Sequence, residues 1–158
     1  MNAGRLTPEQ VQLWQNYAAA KHALLEAGLI RSYKSTEADF AEWLVALALG
    51  GDLHTSQANP SFDVTTQDKR IQVRSYTKMP NNPNGYLLKP ADRNNNPETG
   101  ATHYAFVCFE RLIPKAIFLM SEEYVRTFPR QQILRRDLDQ TPHKLPFDLN
   151  GFNPINVA

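Results

Sequence analysis

The chain has 158 residues, 42% of them hydrophobic and 21% charged, enough to bury a core and short enough for one domain. Its net charge of +1 excludes a global field that would draw it onto nucleic acid, so any such contact has to come from a local patch. The single cysteine, Cys108, excludes an internal disulfide and points to a reducing compartment. No apolar run approaches the roughly 20 residues of a membrane span, and Met1 to Glu9 lacks a signal-peptide core; the expectation is a cytoplasmic protein with no membrane partner.

Thr7-Pro8-Glu9-Gln10 predicts a helix start, with Thr7 as N-cap, Pro8 in the first turn and Gln10 closing a capping box. The helix is expected over 8–27, with Leu13, Tyr17, Ala20 and Leu24 at helical spacing and Gly28 as its stop. A second helix starts near Ser35 or Thr36 and runs to Gly50-Gly51. Phe40, Leu44, Leu47 and Ala48 read as its core face, and Ala38, Glu42 and Ala46 as the opposite ridge. Leu53 to Gln57 reads as a short strand, followed by strands at 61–66 and 70–76. Thr77 to Gly100 holds six asparagines and four prolines, a length that in a connection points to function or motion. Thr102 to Glu110 reads as a central strand buried on both faces, with Cys108 packed inside it. Lys115 to Met120 forms the next strand after a turn at 112–114, and Ser121 caps a short helix. From about residue 140 the prolines predict an extended tail. The fold class is α/β, an α+β sandwich with a central mixed sheet flanked by helices, in a single domain over 1–158.

The chemistry concentrates at Ser61 to Arg74. Folded at Gln67-Asp68, this stretch puts Val64 opposite Ile71 and Phe62 opposite Val73 on an apolar face. The same register sets Asp63 opposite Gln72, with Arg74 further along that polar face. Asp63 offers a carboxylate to a hard cation, Gln72 a neutral carbonyl oxygen, and Val73 a backbone carbonyl. Arg74 can grip a phosphate in a bidentate fork but cannot serve as a base. Glu42 adds a second carboxylate where its small-residue ridge faces the hairpin. Lys69, Arg70, Arg74 and Lys78 make a local basic patch; Arg126, Arg130, Arg135 and Arg136 make another. The four histidines, His22, His54, His103 and His143, have no metal-ligand spacing. Each of these residues also has an ordinary reading as a solvated helix or strand position, and only their combination carries weight.

Taken in order, a helical Glu42-Trp43-Leu44-Val45-Ala46, a strand Asp63, a Gln72-Val73-Arg74 strand and a Tyr104-Ala105-Phe106-Val107 strand resemble the PD-(D/E)xK restriction-endonuclease-like superfamily, in particular its small bacterial members. The resemblance covers roughly residues 10 to 130. It implies a restriction-endonuclease-like core and a Mg²⁺-dependent nuclease (Mn²⁺ serving as well) that hydrolyses DNA phosphodiester bonds, in restriction or phage defence. Glu42, Asp63 and Gln72 match the metal-site positions, Arg74 stands where the superfamily usually has a lysine, and Lys69, Arg70 and Lys78 are the expected DNA contacts. A homodimer is expected by analogy. The alternative reading is a catalytically silent module of the same fold that binds nucleic acid or a protein partner.

Overall fold

The structure, a computed structural model, describes residues 6–33, 35–54, 62–78, 86–88 (backbone) and 100–149. The chain divides into two compact units, residues 1–40 and 41–158.

The first unit contains α1 (Pro8–Glu26). Its start is the expected capping box: the Thr7 hydroxyl accepts from the Gln10 N–H and the Gln10 side chain accepts from the Thr7 N–H. Gly28 ends the helix in the left-handed region, φ 74°. The expected core face is not buried. No residue of α1 is buried, and Leu13, Trp14 and Tyr17 are among the most exposed large apolar side chains. The helix α2 (Thr36–Leu49) begins in this unit, where the Asp39 carboxylate accepts from the N–H groups of Arg31 and Ser32 and from the Ser32 hydroxyl.

The second unit is built on a mixed five-stranded sheet. Its strands are β1 (Asp52–Leu53), β2 (Val64–Thr65), β3 (Arg70–Lys78), β5 (His103–Glu110) and β6 (Ile113–Ser121), in that spatial order. β2 is antiparallel to β1 and β3, β3 is parallel to β5, and β6 is antiparallel to β5. β4 (Tyr86–Leu88) and β7 (Gln132–Leu134) form a separate antiparallel pair. The helices α3 (Glu122–Arg126) and α4 (Arg135–Asp139) are short. Among the described residues no helix is long and apolar enough to cross a membrane.

The alternation of side chains sorts the sheet into two faces. One carries Tyr76, Tyr104, Phe106, Cys108, Ala116, Phe118 and Met120, packed with Val125 of α3, Ile133 of β7 and Leu138 of α4. The other carries Ile71, Val73, Ala105, Val107 and Ile117, also buried. β5 is thus buried on both faces, as its continuous apolar run predicts. The buried residues of α2 are Ala41, Leu44, Val45 and Ala46. This corrects the expected core face: Leu47 points outward and Phe40 and Ala48 are only half-buried. An all-apolar helix surface leaves its buried side to be set by what packs on it.

Three connections differ from expectation. β3 runs on to Lys78, and β4 lies inside the stretch read as structureless. The turn into β6 is Arg111-Leu112, tighter and earlier than 112–114. Both residues are left-handed, at φ 48° and 67°, the two-residue hairpin geometry that asparagine and glycine adopt without strain. Replacing Arg111-Leu112 by Asn-Gly is therefore expected to stabilise the chain by about 1 kcal/mol, read as a raised urea midpoint. The tail from residue 140 does wrap: His143 and Leu145 bond to Leu119 and Ile117, and Lys144 bridges Phe118. It covers the open edge of β6, which would otherwise offer unpaired backbone groups. The readings of strand structure at 55–61 and of the rest of the 77–100 segment lie outside the described residues.

At the joint between α2 and β1, Gly51 sits against β2. A Cβ there would fall 2.8 Å from the Thr65 carbonyl oxygen and 3.1 Å from Val64 Cγ1. Backbone cannot yield as a side chain can, so Gly51→Ala is expected to cost about 1–3 kcal/mol. This close approach anchors the end of α2 beside β2, the strand that follows Asp63.

Candidate functional site

The hairpin pairs Val64 with Ile71 and Thr65 with Arg70, in the register the sequence predicts. Val64 and Ile71 are fully buried. The Thr66 N–H closes the turn on the Lys69 carbonyl. Beyond Val64 the expected register gives way. The Asp63 N–H donates at 2.8 Å to the Ile71 carbonyl, so Asp63 and Val64 share one partner, as in a bulge. The expected pairs Asp63–Gln72 and Phe62–Val73 are not in the ladder. Instead Asp63 Oδ2 accepts from the Val73 N–H at 2.9 Å. The carboxylate takes the place that the backbone of β2 vacates.

The result is a fork. Asp63 is half-buried and, among the described residues, its second carboxylate oxygen has no hydrogen bond. Gln72 and Arg74 flank Val73 and share one face of β3. Gln72 is half-buried and Arg74 exposed, and among the described residues Arg74 makes no ion pair. In a strand the N–H and C=O of one residue point to the same edge, so the Val73 carbonyl lies on the Asp63 side. Glu42 is half-buried on α2, about two turns before the Gly51 joint, and is not without a partner. The structure thus seats Asp63 on the edge of β3 at Val73, with Gln72 and Arg74 on the sheet face that also carries Tyr76.

The expected basic patch does not gather. Lys69 and Arg70 lie at the start of β3 and Lys78 at its end, roughly 26 Å apart at strand rise. Lys69 pairs with Asp68 at 2.7 Å, and Arg70 Nε donates to the Gly100 carbonyl. Arg74 stands between them. In the second group Arg126, Arg135 and Arg136 pair with Glu122, Asp139 and Asp137, and Arg130 is exposed.

Sequence reading missed His54 as a neighbour of the fork. Its N–H donates to the Asp63 carbonyl at 2.8 Å, and its ring meets Phe62 edge-on, with centroids 4.8 Å apart. Only the pairing of β1 with β2 creates this proximity. The other histidines lie elsewhere. His22 contacts Tyr33, His143 packs on Tyr124, and His103 bonds Thr102 at the start of β5.

A second polar group was also missed. Tyr76 and Cys108 are side by side in the parallel register. Arg135 reaches both from α4, pairs with Asp139 at 2.9 Å and lies over the Phe118 ring at 5.6 Å. Burial first of all pushes the Cys108 thiol up to about 12 and the Tyr76 hydroxyl up to about 12. Both therefore stay protonated and unreactive at neutral pH, and the group holds α4 against the sheet. The folded state keeps these protons more tightly than the unfolded chain, so its stability is expected to fall as pH rises from about 9 towards 12. Urea melts across that window check it, and Cys108→Ala should flatten part of the fall.

Among the described residues there is no group of three or more His, Cys, Asp and Glu able to hold a metal. The oxygen donors at the fork nonetheless fit Mg²⁺, which binds through one or two carboxylates and keeps several waters. No family model matches the chain, and no curated protein matches it.

Proposed function

We propose that the chain is a Mg²⁺-dependent nuclease of restriction-endonuclease-like fold that hydrolyses DNA. The observation that carries this reading is the fork itself. Asp63 is held by the Val73 N–H through one oxygen, with the other unbonded among the described residues, and Gln72 and Arg74 stand on either side of Val73. The order of elements supports it: the helix α2 bearing Glu42 is followed by Asp63 just before β2, by the Gln-x-Arg strand β3 and by β5 with Tyr104–Val107, the three strands being neighbours in one mixed sheet.

In this reading Asp63 presents its open oxygen to the cation, with the Gln72 amide and the Val73 carbonyl as neutral donors and Glu42 as the second carboxylate. A bound divalent ion supplies a Lewis acid for the phosphate and a water of lowered pKa. The Val73 N–H fixes the Asp63 carboxylate so that its free oxygen is already aimed. Arg74 grips a phosphate oxygen pair in its planar fork and steadies the charge that grows there. Because a guanidinium keeps its proton, Arg74 positions and does not act as a base.

The silent-module reading rests on the absence of a three-acid group among the described residues. Against it, Arg74 does not close onto Asp63, the salt link that would shut the fork. Calorimetric titration with Mg²⁺ and Mn²⁺, followed by cleavage assays on single- and double-stranded DNA, decides between them. Metal-dependent cleavage stopped by chelator is the expected result. Protein that binds DNA but cuts neither substrate at saturating metal establishes the silent module.

A further inference from the structure

We infer that Arg135 of α4 is a second phosphate-holding residue, which with Arg74 of β3 grips neighbouring phosphates of one DNA strand. The inference rests on the reading of Arg74 as a phosphate grip. Neither basic patch legible in the sequence gathers as a whole, but the fold takes one arginine from each and sets both over the same face of the sheet. Arg74, Phe106 and Phe118 form one row across β3, β5 and β6, so Arg74 and Phe118 stand two strands apart, about 10 Å. Tyr76, on the same face, is two residues on from Arg74, about 7 Å. The Arg135 guanidinium lies by both marks, over the Phe118 ring at 5.6 Å and beside Tyr76 and Cys108. An arginine at position 74 can extend over the same row, which brings the two guanidiniums within a nucleotide's span of one another.

Both residues have donors to give. Arg74 is exposed and makes no ion pair among the described residues. Arg135 keeps 33% of its side-chain surface open. Its Nε donates to Asp139 Oδ1 at 2.9 Å, which uses one of the five N–H donors of the planar fork. Asp139 thereby aims the guanidinium and offsets part of its charge, and a phosphate meets the donors left over. Lys78, further along the same face, stands opposite Glu110, so the grip is confined to the two arginines. Arg136, the next residue of α4, is 69% exposed and lies 4.0 Å from Asp137. It matches Arg135 in charge and in having an acidic partner but differs in place, which makes it the control.

Fluorescence anisotropy of a short labelled DNA duplex over a salt series, with chelator present so that nothing is cut, tests the inference on the full chain. The slope of log affinity against log salt is expected to fall by about 0.9 for Arg135→Gln, the loss of one phosphate contact, and by about twice that with Arg74→Gln added. Arg135→Lys should restore the slope, and Arg136→Gln should leave it unchanged. Asp139→Asn, a change at a half-exposed position, releases the guanidinium and should tighten binding about two- to fivefold at low salt; it decides the matter where Arg135→Gln does not fold. An unchanged slope in Arg135→Gln, no recovery in Arg135→Lys, an equal loss in Arg136→Gln or no gain in Asp139→Asn overturns the inference and leaves the nuclease reading standing. A parent that binds no DNA at any salt overturns both. A parent that binds DNA through the two arginines yet cuts nothing once metal is restored removes the nuclease reading alone.

Discussion

Asp63→Ala is expected to abolish Mg²⁺ and Mn²⁺ binding and, with it, all metal-dependent cleavage. It is also expected to cost roughly 1–3 kcal/mol of stability, because the Val73 N–H loses the acceptor it has at 2.9 Å. These two effects have different causes, and Asp63→Asn separates them. The amide keeps a carbonyl oxygen for Val73, so stability should stay within about 1 kcal/mol of the parent. It lacks the charge that a hard cation needs, so metal affinity should still collapse. Arg74→Ala should leave metal binding intact. Calorimetry and urea melts on the three variants give the comparison. Equal metal affinity in the parent and Asp63→Asn would remove Asp63 from the mechanism while leaving its structural role in the fork untouched.

The second large effect is a gain. An ammonium is a compact charge whose pKa can be tuned, whereas a guanidinium is a rigid fork that keeps its proton. At a strand edge that must orient water beside a cation, Arg74→Lys is expected to raise Mg²⁺-dependent DNA cleavage above the parent. Gln72→Glu with Arg74→Lys should raise it further, since the added carboxylate strengthens the donor set. Gln72 and Arg74 lie on the same face of β3, with only Val73 between them, so the pair should couple and not simply add. Initial rates at fixed salt are the measurement, because any phosphate contact by Arg74 is salt-dependent. A slower Arg74→Lys enzyme would mean that the arginine is itself the adapted phosphate-gripping residue.

Local signals in the chain were read closely. The Thr7–Gln10 capping box, the Gly28 stop, the Ser121 cap and the turn between Val64 and Ile71 all depend on residues a few positions apart. The backbone groups at a helix end or in a tight turn must find partners nearby, and short polar side chains supply them. The buried run of β5 was legible for a related reason, since an uninterrupted apolar strand has to be covered on both faces. The α1 stripe was equally visible as a pattern. Its exposure was not, because periodicity reports which side chains share a face and not what the face meets.

The candidate site divides along the same line. Residue types and spacing alone singled out Asp63, Gln72 and Arg74, and alternation along a strand put the last two together. The bulge that turns Asp63 from a partner of Gln72 into an acceptor for Val73 arises where β2 leaves β3, and no spacing rule announces it. His54 joins Asp63 only through the β1–β2 pair, and Arg135 reaches Tyr76 and Cys108 across nearly sixty and thirty residues. The separation of Lys69 and Arg70 from Lys78 by the length of a nine-residue strand is likewise a matter of extension, which a count of nearby charges ignores. Helix ends, turns and the order of elements follow from contacts between near neighbours, whose cost in chain entropy is small. The fork, the edge-covering tail and the choice of buried face on α2 follow from contacts between distant segments, and only the packed tertiary structure selects among the partners available to them.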